Sequence, residues 1–248
     1  MYTGAASTAQ MFRAYDLVTV ILVVPAFVVA GLTARRGPGR ARLLVLSLLA
    51  YLVYGYGYYL FGTGFNDLFL LHAGVLATSV TALVLQLTTV DLAAFTDRVQ
   101  AGSGMKGAAV VLGLLAAALG GMWVYFALDN AITGDVPDGS RLVETDTIVH
   151  LGIALDLTLL VPLYTAAAIL LWRRTTWGFV LGVVAVVAGL LHQVGYIVAM
   201  PFQVAADIPG AVSYDPGEPV VVLAYLLAAV LLLRPTSTDR VRHPAGIR

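Results

Sequence analysis

The sequence predicts an all-α membrane protein: a bundle of seven transmembrane helices, N-terminus outside and C-terminus in the cytoplasm. Three observations lead there. Of the 248 residues, 60% are hydrophobic and 11% charged, with a mean hydropathy of +0.90, whereas a soluble domain is about 45–50% apolar and about 25% charged. Apolar runs near the ~20 residues needed to cross ~30 Å of hydrocarbon recur along the whole chain. Between those runs, basic and acidic residues alternate from one connection to the next.

The first run, 14–34, begins at the end of the polar stretch MYTGAASTAQMFRAYD (1–16). That stretch lacks the charged, apolar and cleavage regions of a signal peptide, so the run is expected to stay as a helix. The second, 43–62, carries YLVYGYGYY (51–59). TGFND (63–67) reads as a tight turn, with Asn66 or Asp67 as N-cap for the third run, 67–90. The fourth, 107–128, holds the small-residue string AAALGG (116–121), which lets a helix pack closely on a neighbour. A Gly-, Pro- and Asp-rich loop, 129–146, leads to the fifth run, 147–171. The sixth is 177–200, and the seventh, 219–234, is short, with Arg234 able to snorkel to the interface. Together they make one membrane domain, 1–248, ending in a basic cytoplasmic tail, 235–248.

Orientation follows from the basic residues. With the N-terminus outside, the cytoplasmic segments hold Arg35, Arg36, Arg40, Arg42, Arg98, Lys106, Arg173, Arg174, Arg234, Arg240, Arg242 and Arg248; only Arg13 and Arg141 fall outside. The expected location is the cell membrane, read as a bacterial inner membrane, with the lipid bilayer as the protein's first partner. No 20–50-residue repeat stands out. Absent cysteines exclude disulfides and thiolate metal sites. There is no phosphate-binding loop, no nucleophile elbow and no basic–aromatic surface for nucleic acid. Oligomeric state is not encoded in any visible motif.

The chemistry concentrates at membrane depth. IVHLGIALDLTLLVPLY (148–164) carries Asp156 near the middle of its helix, ~14 Å from the end at 1.5 Å per residue. An aspartate there costs about 2.5–3.5 kcal/mol on insertion scales and marks a site by default. Pro162 cannot donate to the carbonyl of residue 158, so a kink is expected, with Thr158 meeting part of the deficit. His72, His150 and His192 lie in the outer half of the membrane, while His243 belongs to the tail. Gln193 follows His192, and Tyr196 shares its face. Tyr51, Tyr54 and Tyr58 fall on one face of the second helix, and with Trp123, Tyr125 and Phe126 they outline an aromatic-walled cavity.

Three readings use these groups. In the first, Asp156 is the acid or base of an enzyme acting on a lipophilic, isoprenoid-like small molecule. His72, His192 and Tyr54 would orient it or complete a relay, and Tyr51, Tyr58, Trp123, Tyr125, Phe126, His150, Gln193 and Tyr196 would contact substrate. In length, span number and possession of a buried acid, the chain resembles the small membrane-integrated terpene cyclases, a likeness of architecture. That resemblance implies a cyclase- or isomerase-type (lyase or isomerase) reaction and a second acid, for which Asp16 is the available residue. The second reading is a metal or haem protein: His72, His150, His192 and an Asp would suffice for a transition metal, although no HxxxH or ExxH pair puts two ligands on one helix face. The third is a proton-coupled transporter or a receptor. Topology and size are similar to those of microbial rhodopsins, but a retinal Schiff base needs a lysine in the last span, and the single lysine is Lys106.

Overall fold

The computed structural model describes residues 6–37, 39–96, 99, 104–135 and 146–234, with only the backbone given for 146–149. Among these residues the protein is helical and contains no strand. Among the described residues seven apolar helices of ten residues or more follow one another: α1 Ala6–Ala34, α2 Gly39–Gly62, α3 Phe69–Thr88, α4 Met105–Thr133, α5 over 146–172, α6 Thr176–Val204 and α7 Gly217–Leu233, with a short 3-10 turn, Ala93–Phe95, between α3 and α4. Six are long and apolar enough to cross a membrane, and α7 is shorter. The expected all-α polytopic bundle is what the chain forms.

The helices run up and down between two faces. One carries the start of α1 and is here the N-terminal face. The other collects Arg35, Arg36, Arg40, Arg42, Lys106, Arg173, Arg174 and Arg234 and is the arginine-rich face. Arg98, Arg141, Asp138, Glu144, His243 and the tail 235–248 lie outside the described residues.

Helix α6 is the central post, packed against α1, α2, α5, α7 and α4, while α3 rests chiefly on α2. Glycines make this centrality possible. A Cβ on Gly195 would come within 2.5 Å of the Tyr15 ring, and one on Gly189 within 2.5 Å of both Tyr164 and Tyr225. On α4, Gly120 of the AAALGG string faces Val161 of α5, where a Cβ would stand 3.2 Å from a methyl. Close α4–α5 packing at that string follows.

The two halves are built differently. Toward the arginine-rich face lies the large apolar core of Leu43, Leu46, Leu112, Leu171, Phe179, Val180, Val186 and Leu232, closed above by Tyr164 and Tyr225, whose hydroxyls meet at 2.7 Å. Toward the N-terminal face a smaller cluster joins Met11, Phe12, Ala14 and Tyr15 to Tyr59 and Ala199. That cluster explains why the chain is already helical at Ala6, the first described residue, ahead of the expected 14. The polar-looking leader presents Met11, Phe12 and Tyr15 on one face, and Gln203 of α6 donates to the Ser7 carbonyl at 3.1 Å. Outward-facing Val20, Ile21, Val28, Val29 and Leu70 are exposed, as lipid-contacting side chains should be.

Both α1 and α5 widen into a π turn, at Thr19–Val23 and Asp156–Leu160, each running directly into a Val–Pro pair. In each, the valine N–H reaches back to the carbonyl that opens the turn: Val24 to Thr19 and Val161 to Asp156. The wider ring accommodates a proline that has no N–H to give. Thr158, expected to serve the deficit at Pro162, instead donates to the Ala154 carbonyl. At the 63–67 turn, Asn66 accepts from the Leu68 N–H at 2.9 Å and so turns the chain into α3.

Candidate functional site

Asp156 is 8% exposed and opens the π turn of α5. Its carboxyl has a donor on each oxygen. The Tyr54 hydroxyl of α2 donates to Oδ1 at 2.7 Å, and the Trp123 indole Nε1 of α4 donates to Oδ2 at 2.8 Å. Three helices therefore meet on one side chain. A buried carboxyl is tolerated only where such partners replace lost water.

The two donors are not equivalent. An indole N–H only donates, so Oδ2 is held as an acceptor. A phenol can donate to a carboxylate or accept from a carboxylic acid, so Oδ1 is the atom at which a proton can come and go.

Behind Tyr54 stands His192 of α6, edge-on at 4.7 Å between ring centroids. Tyr15 of α1 closes the row, its hydroxyl 3.5 Å from His192 Nδ1 and 3.4 Å from the His192 carbonyl. The missing Cβ of Gly195 lets the Tyr15 ring come this close. Tyr15, Tyr54 and Asp156 are buried, whereas Trp123, Tyr58, His192 and Tyr196 are only half-buried. The carboxyl thus lies buried among aromatic side chains that are themselves partly exposed.

Tyr51 is buried and pairs with Thr19 of the α1 π turn at 3.2 Å between hydroxyls. Tyr58 stands over Gly152 of α5 and meets Phe12 edge-on at 5.8 Å. Gln193 donates to Glu218 and so ties α6 to the first turn of α7. Phe126 packs on Trp123 at 6.0 Å, while Tyr125 is 63% exposed and faces outward. His150 is exposed near the N-terminal face.

His72 belongs to a second group. It is buried between Tyr56 and Tyr59, with ring centroids at 5.8 and 5.1 Å. Tyr59 also donates to Asp16 Oδ1 at 2.9 Å and to the Phe12 carbonyl at 2.9 Å. His72 and Asp16 therefore share a tyrosine, and His192 shares a different one with Asp156.

The three histidines do not converge. Among the described residues, no group of three or more His, Asp or Glu is placed to hold a metal ion. Tyrosines pack on both His72 and His192, so a haem using them as axial ligands would have to displace those rings.

Sequence reasoning passed over Tyr15, Thr19 and Glu218. The signal for Thr19 was present: TVILVVP (19–25) and DLTLLVP (156–162) place a polar residue at the same spacing from Val–Pro. Tyr15 carried no such mark, since a tyrosine near a helix start reads as an interface aromatic. Compared with family models, with curated proteins and with solved structures, the chain matches none.

Proposed function

We propose that this multi-pass membrane protein is an enzyme that moves a proton to or from a lipophilic, isoprenoid-like substrate, with Asp156 as the acid or base. One observation carries the reading: a buried carboxyl in mid-helix, held by Tyr54 and Trp123, behind half-buried aromatic residues. Trp123 fixes the carboxyl through Oδ2 and leaves Oδ1 as the working atom. A proton taken from one substrate carbon and returned at another leaves composition unchanged. Isomerisation or cyclisation of an unsaturated chain fits this balance without oxidant or reductant. The faces of Trp123, Tyr58 and Tyr196 suit a passing cationic centre, and the carboxylate is its counter-charge. His192 and Tyr15 act as positioning residues behind Tyr54.

On this reading the arginine-rich face is cytoplasmic and the Asp156 site lies in the outer half of the bilayer of a cell membrane of bacterial inner-membrane type; the asymmetry of basic residues supports that orientation. A second reading, a proton-coupled carrier, is favoured by the paired π turns. Units α1–α3 and α5–α7 each begin with such a helix and meet through α2 and α6, an arrangement in keeping with carriers built from parallel repeats.

The test is to incubate wild-type protein and Asp156→Asn with the non-polar lipid extract of the host membrane. A product of unchanged mass and shifted retention, formed only by wild type, is expected. Identical chromatograms from the two proteins would overturn the enzyme reading.

A further inference from the structure

A groove on the lipid-facing surface lies outside the site described above. It is a shallow, largely open depression of about 390 Å³ between α4 and α5 at the arginine-rich face, lined by Ala109, Val110, Ala168, Ile169, Trp172 and Arg173. The helices are antiparallel, so the start of α4 and the end of α5 meet at this point.

The groove is graded along its length. Ala109 and Ala168 keep its floor low, while Val110 and Ile169 are exposed apolar walls. At the mouth Trp172 is 55% exposed, and the Lys106 ammonium lies 5.2 Å from the centre of its ring. Arg173 follows directly. An apolar trough leading to two cations beside a tryptophan matches a phospholipid, whose chain, glycerol region and phosphate occupy successive depths.

We infer that this groove binds one anionic phospholipid from the surrounding leaflet, its acyl chain over Ala109 and Ala168 and its phosphate between Lys106 and Arg173. The two cations select an anionic headgroup over a zwitterionic one, and the Lys106–Trp172 contact holds the ammonium at phosphate depth. The inference is independent of the reaction at Asp156.

Native mass spectrometry of the full chain in mild detergent, titrated with phosphatidylglycerol and phosphatidylcholine, tests it. Wild type is expected to retain phosphatidylglycerol preferentially. Lys106→Gln with Arg173→Gln is expected to reduce that preference by roughly thirtyfold, the scale of losing two surface cations near an anionic headgroup. Arg35→Gln with Arg36→Gln, on the same face but away from the groove, is expected to leave it intact. Ala168→Phe, which fills the floor and keeps both cations, is expected to lower retention as well. Equal losses in the two double variants would mean general attraction to a basic surface, and no loss in either would mean that these cations do not recognise the headgroup; either result would overturn the site.

Discussion

Helices α1 and α5 use the same backbone device for different ends. Each widens into a π turn before a Val–Pro pair, and in each the first residue of the turn reaches a tyrosine of α2: Thr19 to Tyr51 at 3.2 Å and Asp156 to Tyr54 at 2.7 Å. The shared part is structural, because a proline without an N–H is accommodated by a wider ring in either helix. What differs is the side chain. Threonine makes a neutral bond that ties two helices together. Aspartate brings an ionisable group, recruits Trp123 from a third helix, and lies among half-buried aromatic residues. The polar knot and the candidate site are thus distinguishable within one molecule, and α1 supplies the control for α5.

The largest effect is expected at the acid itself. Asp156→Asn keeps shape and one acceptor but cannot exchange a proton, so product formation should fall by about 10²–10⁴-fold, the usual worth of a general acid or base. Thr19→Val, at the matching position, should leave the rate within twofold while lowering stability slightly. Rates from a lipid-extract assay, beside thermal unfolding of both variants, read this directly.

The tyrosines sharpen the same contrast. Tyr54→Phe removes the proton's partner at Oδ1 and is expected to slow turnover by about ten- to a hundredfold. Tyr51→Phe should cost only the net worth of one hydrogen bond, about 0.5–1.5 kcal/mol, with turnover unchanged. Equal losses of turnover in the two variants would reduce both tyrosines to scaffolding.

A smaller split is expected at the prolines. Pro162→Ala restores an N–H and lets the π turn close, which displaces Asp156 from Trp123 and is expected to lower turnover by about tenfold, below the ~10²-fold that a misplacement of ~1 Å can cost. Pro25→Ala should alter stability alone. The glycines of α6 are expected to divide in the same way. Gly195→Ala drives into Tyr15 beside the site, and Gly189→Ala into Tyr164 and Tyr225 in the apolar core. Both should destabilise by about 1–3 kcal/mol, and only Gly195→Ala should also change the reaction.

Much of the fold was legible because hydropathy is additive along a chain. The apolar runs place each helix within a few residues, except at α1, where Met11, Phe12 and Tyr15 sit in a stretch whose average looks polar. Asp156 was legible for the same reason: an acid in an apolar run needs no partner to stand out. Its partners were not. Trp123 and Tyr54 lie on other helices, and nothing local marks which aromatic residue will turn toward a given carboxyl. His72 looked equivalent to His192 by depth, yet helix rotation sends it to Asp16 and Tyr59. Tyr125 and Phe126 are adjacent, but only Phe126 turns inward onto Trp123, because neighbours on a helix point ~100° apart.

The most direct measurement is solvent deuterium incorporation. Wild type, Asp156→Asn and Thr19→Val would be incubated with the membrane's non-polar lipids in deuterated water, and label would be read by mass spectrometry. Proton transfer at Asp156 predicts one lipid class labelled by wild type and by Thr19→Val, and unlabelled by Asp156→Asn. Label that persists in Asp156→Asn, or that no protein introduces, would contradict it and leave Asp156 as the stronger of two structural knots.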